Sequence, residues 1–104
     1  MKPNRQVVCA DGYTVSIQAS EYTYCSPRTT GCVDGYIACE LGFPSEADEL
    51  INKYAEPTVL DSEDIDYTAT VYPYVPADVI RALLANHGGM VSGECPNLRG
   101  GEEE

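Results

Sequence analysis

Five cysteines and a single histidine are the side chains with the greatest chemical reactivity in this 104-residue sequence. Cys25 stands three residues before Arg28, whose positive charge would favour the reactive thiolate form of the cysteine. A cysteine nucleophile also needs a general base, and His87 is the only histidine. These residues allow an enzyme that uses Cys25. No recognisable catalytic motif appears in the sequence, however, and we predict a protein without enzymatic activity.

The spacing of the cysteines argues against a bound metal. Zinc sites usually contain close ligand pairs such as Cys-x2-Cys, whereas Cys25, Cys32 and Cys39 follow one another at intervals of seven residues. The acidic segment 61–66 lacks the central glycine and the final bidentate glutamate of an EF-hand calcium loop. The sequence therefore predicts no metal and no other cofactor. An odd number of cysteines without a secretory signal predicts mostly free thiols.

Acidic side chains are concentrated in one segment of the chain. Eight of the 17 acidic residues lie between positions 46 and 66, where Lys53 is the only basic residue. Such a surface can imitate a phosphate backbone and attract a basic groove, although a solvated face without a partner is the alternative. The acidic residues predicted to contact a partner are Glu46, Asp48, Glu49, Asp61, Glu63, Asp64 and Asp66.

Tyrosine is the second compositional excess, with eight tyrosines against one phenylalanine and no tryptophan. Tyrosine combines a large contact area with a polar tip and is enriched at protein interfaces. The alternative is that several tyrosines cover the open face of a small sheet. The residues predicted to join the partner-binding surface, all near expected strand ends, are Tyr22, Tyr24, Arg28, Tyr72 and Tyr74.

The overall charge limits the choice of partner. A net charge of −11 and a pI near 4.2 disfavour direct contact with nucleic acid or anionic membranes, whose phosphates would be repelled. No apolar run approaches the roughly 20 residues that a membrane helix needs. The N-terminus, MKPNRQVV, has no signal-peptide core. We therefore predict a cytoplasmic protein that binds a basic protein surface.

Strand patterns dominate the first part of the chain. Asp11-Gly12 separates two β-prone runs, and YTVSIQA alternates between apolar and polar residues, which predicts a hairpin of strands 5–10 and 13–19. The run 36–43 predicts a third strand, and its partly apolar faces are typical of a central position. In EYTYCSPR (21–28), the strand ends, the chain turns at Ser26-Pro27, and side chains are presented at the edge.

Two helices are expected in the second half. Ser45 as an N-cap, with apolar residues at helical spacing, predicts a helix over 45–55, and Pro76 opens a second helix that ends near Gly88. Between them, 67–75 predicts a strand in which Pro73 marks an end or a sheet edge. The predicted fold is α+β: a small antiparallel sheet in the order β-β-β-α-β-α, optionally with a final short strand, and two helices packed on one face. Residues 1–91 form one domain, and 92–104 a flexible acidic tail.

Short strings in this sequence resemble segments of small, mostly uncharacterised proteins encoded by tailed bacteriophages. The strings are VSIQASEYTYCSPR, ELGFPS and YPYVP, and the resemblance covers roughly residues 7–89. It implies an accessory protein made in a bacterial host, where such proteins commonly block CRISPR and other defence systems. It brings no assigned binding residues.

Together, these features predict a phage-encoded inhibitor that occludes a host nucleic-acid-handling protein by acidic phosphate mimicry. The alternative is a sponge for nucleotide signals, in which Arg28 and Arg81 hold phosphate and tyrosines stack on a base. The sequence leaves the oligomeric state open, a homodimer included.

Overall fold

The computed structural model of the protein describes residues 4–56 and 66–99. Within these residues there are five β-strands and one α-helix, in the chain order β-β-β-β-α-β. The strands form a single antiparallel sheet with the spatial order β4-β3-β2-β1-β5. No helix in the described part of the chain is long and apolar enough to cross a membrane.

The predicted N-terminal hairpin is confirmed. Strand β1 (Val7–Cys9) pairs antiparallel with β2 (Thr14–Gln18). Gly12 has a φ of 97°, a conformation that glycine adopts without steric cost, and its amide donates to the Cys9 carbonyl at 2.9 Å. Val15 and Ile17 are fully buried while the alternate residues are half-buried, as period-2 alternation predicts.

The third strand, β3 (Ala38–Gly42), lies between β2 and β4, so the prediction of an interior strand is confirmed. Strand β4 (Val71–Pro76) forms one edge of the sheet. This position suits Pro73, which has no amide to donate to a neighbouring strand. The strand continues beyond Pro73 because the pairing register shifts opposite Glu40, where a β-bulge accommodates Pro73 and Tyr74.

The helix α1 (Ala77–Asn86) begins directly after β4, packs against it and contributes side chains to the core. Ile80 and Leu83 are fully buried, and burial of each such side chain stabilises the fold by about 1.5–3 kcal/mol. The predicted stop at Gly88 is confirmed by its φ of 90° and by the bond from the Gly89 amide to the Leu84 carbonyl. The fully buried side chains of the strands are Val7, Val15, Ile17, Cys39, Leu41, Tyr72 and Val75.

The prediction of two helices on one face is wrong, because residues 45–55 form turns and one short 3-10 helix, Asn52–Tyr54. Ser45 is not an N-cap. Its amide and hydroxyl oxygen both bond to the backbone of Thr14, at 2.8 and 3.0 Å. Asp48 begins the turn instead: its side chain accepts the Leu50 amide, and its carbonyl accepts the amides of Ile51 and Asn52. Too few residues remain before Glu56, whose amide bonds to Val71 of the sheet, for a regular helix.

The optional last strand is present as β5 (Met90–Ser92), which pairs with β1 at the second edge. Folded structure extends past the domain boundary predicted at residue 91. The Glu94 amide donates to the Arg5 carbonyl, and Leu98 forms a parallel bridge with Tyr36. Residues 92–99, which belong to the predicted tail, therefore contact the sheet, and the end of that tail lies outside the described residues.

Candidate protein-binding surface

Two exposed tyrosines and an arginine meet at the β4 edge of the sheet. The rings of Tyr24 and Tyr74 lie with centroids 5.9 Å apart at an angle of 42°. The guanidinium of Arg28 lies over the Tyr24 ring, 5.6 Å from its centroid. Tyr24 is 42% exposed and Tyr74 47% exposed. These three predicted residues therefore form one surface, which we call the aromatic edge.

Backbone bonds hold the aromatic edge in place. The bulge in β4 directs the Tyr74 amide to the Tyr24 carbonyl, at 3.1 Å. The Tyr24 amide donates to the Glu40 carboxylate at 2.9 Å, which connects this loop to β3. Because these bonds fix the main chain of both tyrosines, binding at this edge costs little further backbone entropy.

The backbone of Tyr74 is in the left-handed region, with a φ of 54°. This conformation costs a non-glycine residue about 1–2 kcal/mol, and the exposed ring returns little of that energy through burial. Phe43, the only other described non-glycine residue with positive φ, is likewise an exposed aromatic residue. Strained residues of this kind are typical of functional surfaces.

The other two predicted tyrosines behave differently. Tyr22 is 73% exposed and has no described ring contact, so it does not belong to the aromatic edge. Tyr72 is fully buried, and its hydroxyl donates to the Tyr67 carbonyl. Tyr72 is therefore a core residue and cannot contact a partner. The bulge in β4 places Tyr74 at the surface.

The acidic residues that the structure describes are divided between surface and interior. Glu46 and Glu49 are exposed, and Asp66 is exposed while accepting bonds from Thr68. Asp48, in contrast, is largely enclosed, with a side chain 16% exposed. The remaining three predicted contact residues, Asp61, Glu63 and Asp64, lie outside the described residues.

Most arginines of the described chain already contact their own protein. Arg5 lies 3.8 Å from Glu94, and Arg81 donates to Asp78 at 2.7 Å. Arg99 donates to the Asp34 carbonyl. Carboxylates outnumber the basic side chains of the chain, so most of them have no basic residue to neutralise them, and the surface is predominantly negative.

Asp48 belongs to a second group of residues, the His87 cluster, formed by His87, Asp11, Asp48 and Tyr13. The two imidazole nitrogens of His87 contact the two carboxylates, Nδ1 at 2.7 Å from Asp11 and Nε2 at 2.9 Å from Asp48. The ring stacks on Tyr13 with centroids 3.8 Å apart and planes 6° from parallel. The cluster connects the β1–β2 turn, the 45–51 turns and the end of α1.

Protonation of the His87 cluster follows from these contacts. Burial opposes the charge on His87, but the bonds to Asp11 and Asp48 outweigh it, and the pKa of His87 is raised above 6.5. The amide of Tyr13 and then His87 lower the pKa of Asp11. Burial, and then the charge of Asp48, raise the pKa of the Tyr13 hydroxyl, which is buried and has no partner among the described atoms.

The cluster and the aromatic edge lie at opposite ends of α1. The ten residues of the helix span roughly 15 Å, with Tyr74 just before its start and His87 at its end. The predicted acidic surface around Glu46 and Glu49 is next to Asp48. The structure therefore separates the acidic and tyrosine-rich parts of the predicted partner-binding surface.

Cys25 and His87, the nucleophile and the base of the alternative enzyme, have different hydrogen-bond partners. The Cys25 thiol is buried and contacts the Ser20 carbonyl at 3.1 Å, whereas His87 is occupied by the two aspartates. Burial and the neighbouring thiols of Cys95 and Cys25 raise the pKa of Cys39 to about 12. Cys39 is therefore a core residue in its neutral form.

An open pocket of about 320 Å³ lies at a distinct place, between the 30–36 loop and the last described residues. The described residues of its lining include Asn4, Thr30, Cys32 and Asn97, and none of these described residues is charged. The side-chain amides of Asn4 and Asn97 donate to carbonyls of the chain itself. The lining that the structure describes therefore offers no cationic group for a phosphate.

Sequence reasoning did not identify Glu40 or the His87 cluster. The sequence indicated Asp11 only as part of the hairpin turn and His87 only as the candidate general base for Cys25. The partners of His87 are 39 and 76 residues away along the chain. A local pattern carries no signal for such contacts.

Comparisons of the chain with known proteins gave no match among models of protein families, curated proteins or solved structures.

Proposed function

We propose that this chain is a non-enzymatic inhibitor that binds a basic protein and occludes its nucleic-acid-binding surface. The observation that carries the proposal is the aromatic edge, in which Tyr24 and Tyr74 are exposed yet fixed by main-chain bonds. Rigid, exposed tyrosines are typical anchors of protein interfaces. In the bacterial context that the resemblance implies, the partner is a host defence protein.

Charge supports the choice of partner. The net charge of −11 and the exposed carboxylates of Glu46 and Glu49 favour encounter with lysine- and arginine-rich surfaces. Such surfaces normally hold nucleic-acid phosphates. The acidic residues would increase the association rate, and the aromatic edge would limit dissociation.

The nucleotide-sponge alternative has less support. Of the two arginines expected to hold phosphate, Arg81 is already paired with Asp78 at 2.7 Å and bonded to the Arg99 carbonyl at 3.0 Å. Arg28 is held over Tyr24 rather than beside the pocket. No described observation therefore favours a phosphate ligand.

The experiment is an affinity capture from bacterial lysate at low and high salt, with mass-spectrometric identification and purification of the captured protein. We expect a basic, nucleic-acid-binding protein whose capture fails at about 1 M salt, where charges are screened beyond about 3 Å. The double variant Tyr24→Leu/Tyr74→Asn should lose it, because asparagine tolerates positive φ and keeps the bulge while removing the ring.

Tyr22→Leu is the matched control, because Tyr22 is exposed but lies outside the fixed pair. Glu46→Lys/Glu49→Lys should slow association without changing the fold. Capture that is equally strong for the double aromatic variant and the control would contradict the proposal.

A further inference from the structure

The face of the Tyr24 ring already accepts a guanidinium. Arg28 lies 5.6 Å from the ring centroid, within the range of a cation–π interaction. In the part of the chain that the structure describes, no carboxylate forms an ion pair with Arg28. Among the described residues, the Tyr24 ring is therefore the partner of the Arg28 guanidinium. The contact is exposed, so another cation can replace Arg28 on the ring.

A second ring contacts the Tyr24 ring, and a carboxylate is bonded to the Tyr24 backbone. Tyr74 lies 5.9 Å from Tyr24 at an angle of 42°, so the two rings form an open, angled pair. One oxygen of Glu40 accepts the Tyr24 amide, and no described donor contacts its other oxygen. Two aromatic rings and a carboxylate bonded to the backbone of one of them supply the two kinds of group that an arginine uses, a face for stacking and an acceptor for a charged hydrogen bond.

We propose that Tyr24, Tyr74 and Glu40 form a recognition site for an arginine side chain of the partner protein. This inference rests on the proposed function and names the side chain that the aromatic edge takes. Arg28 is the internal occupant, and the arginine of the partner replaces it. Arginine fits better than lysine because its planar, weakly hydrated guanidinium stacks on aromatic rings while its edge donates to a carboxylate.

The backbone of Tyr74 agrees with this role. A φ of 54° is an unfavourable conformation for tyrosine, and it keeps the ring at the edge, next to Tyr24, instead of in the sheet. A tyrosine whose only role was to fill the core would not need this geometry, as the buried Tyr72 in the same strand illustrates.

The test uses the full chain with N-acetyl-arginine amide and N-acetyl-lysine amide as probes, followed by NMR of the tyrosine ring and backbone signals. We expect arginine to shift the signals of Tyr24 and Tyr74 and to bind more tightly than lysine. Because an exposed cation–π contact is weak, Tyr24→Leu should reduce the arginine affinity about two- to five-fold. Tyr22→Leu should leave it unchanged.

Removing Arg28, the internal occupant, is the most specific test of the arginine site. Arg28→Ala should increase the arginine affinity about two- to five-fold, because the probe no longer competes with Arg28. Arg5→Ala is the matched control, since it removes the same charge from a side chain that is 75% exposed elsewhere. An equal effect of the two variants would overturn the proposal, as would equal binding of arginine and lysine.

Glu40→Gln tests the carboxylate, because glutamine still accepts the Tyr24 amide but lacks the charge. It should weaken arginine binding about two-fold. The exposed Asp34 is the matched control, and Asp34→Asn should leave arginine binding unchanged. The two proposals fail separately. If the probes do not distinguish these variants while a basic protein is still captured, the arginine site is wrong and the proposed function stands.

Discussion

His87→Ala tests whether the His87 cluster stabilises the fold. The variant removes the contact with Asp48, which is a charge-assisted hydrogen bond to a largely enclosed carboxylate and is worth about 1.5–3 kcal/mol. It also removes the stack on Tyr13, worth about 0.5–1.5 kcal/mol. The contact with Asp11 is left out of the sum because that carboxylate is half exposed. The free energy of unfolding should therefore fall by about 2–4.5 kcal/mol in mildly acidic solution.

The loss should depend on pH with a defined sign. Because the pKa of His87 is raised in the folded protein, its contribution is fully present below the ordinary value of 6.5 and disappears as pH rises through the folded-state pKa. The lowered pKa of Asp11 acts in the opposite direction. Its contribution is present above the ordinary value of 3.8 and disappears as pH falls through the folded-state pKa. The cluster therefore stabilises most between these two ordinary values.

The assay is urea unfolding of the wild type and His87→Ala at about pH 5.5 and about pH 8.5, on either side of the histidine titration. The difference between the two proteins should be larger at the lower pH. His87→Phe is the matched control, because it keeps a ring to stack on Tyr13 but makes no bond to Asp48. A difference below about 0.5 kcal/mol at the lower pH, or one that does not change with pH, would refute this reasoning.

Three further predictions follow from burial and backbone geometry. Leu83→Ala should lower the free energy of unfolding by about 2–5 kcal/mol, measured by urea unfolding, because Leu83 of α1 is fully buried in the core. Gly93→Ala should weaken the pairing of β5 and speed its amide hydrogen exchange, since Gly93 has a φ of 99° and an added Cβ would lie 2.1 Å from the Gln6 carbonyl oxygen. Cys32 should react with a thiol reagent in the native protein, whereas Cys39, fully buried and with a pKa raised to about 12, should react only after unfolding.

Local patterns were sufficient for the parts of the fold that depend on neighbouring residues. Asp11-Gly12 with its alternating flanks predicted the hairpin, and the apolar spacing before Gly88 predicted α1. Pro73 indicated either a strand end or a sheet edge, because the missing amide restricts proline whatever surrounds it, and the structure has the edge.

The helix predicted over 45–55 could not be excluded from local patterns, because tertiary contacts determine whether it forms. Ser45 has the right chemistry for an N-cap, yet it bonds to Thr14, which is 31 residues away. Asp48 uses one carboxylate oxygen for the turn and the other for His87. These contacts favour turns over a helix whose intrinsic stability is small at this length.

The candidate surface was predictable only in part, because it too depends on tertiary contacts. The sequence identified Tyr24, Tyr74 and Arg28 by residue type, but it could not distinguish Tyr74 from Tyr72. Strand alternation places the two on the same face, and only the bulge opposite Glu40 separates them. Glu40 was missed because its contact with Tyr24 depends on how the loop returns to β3.

The central claim is that this protein excludes nucleic acid from a basic partner. The most direct test is fluorescence anisotropy of labelled nucleic acid bound to the captured and purified protein, titrated with the wild-type chain. We expect stoichiometric release of the nucleic acid by the wild type, and weaker release by Tyr24→Leu/Tyr74→Asn. Formation of a ternary complex, with the nucleic acid still bound when the partner is saturated, would contradict it.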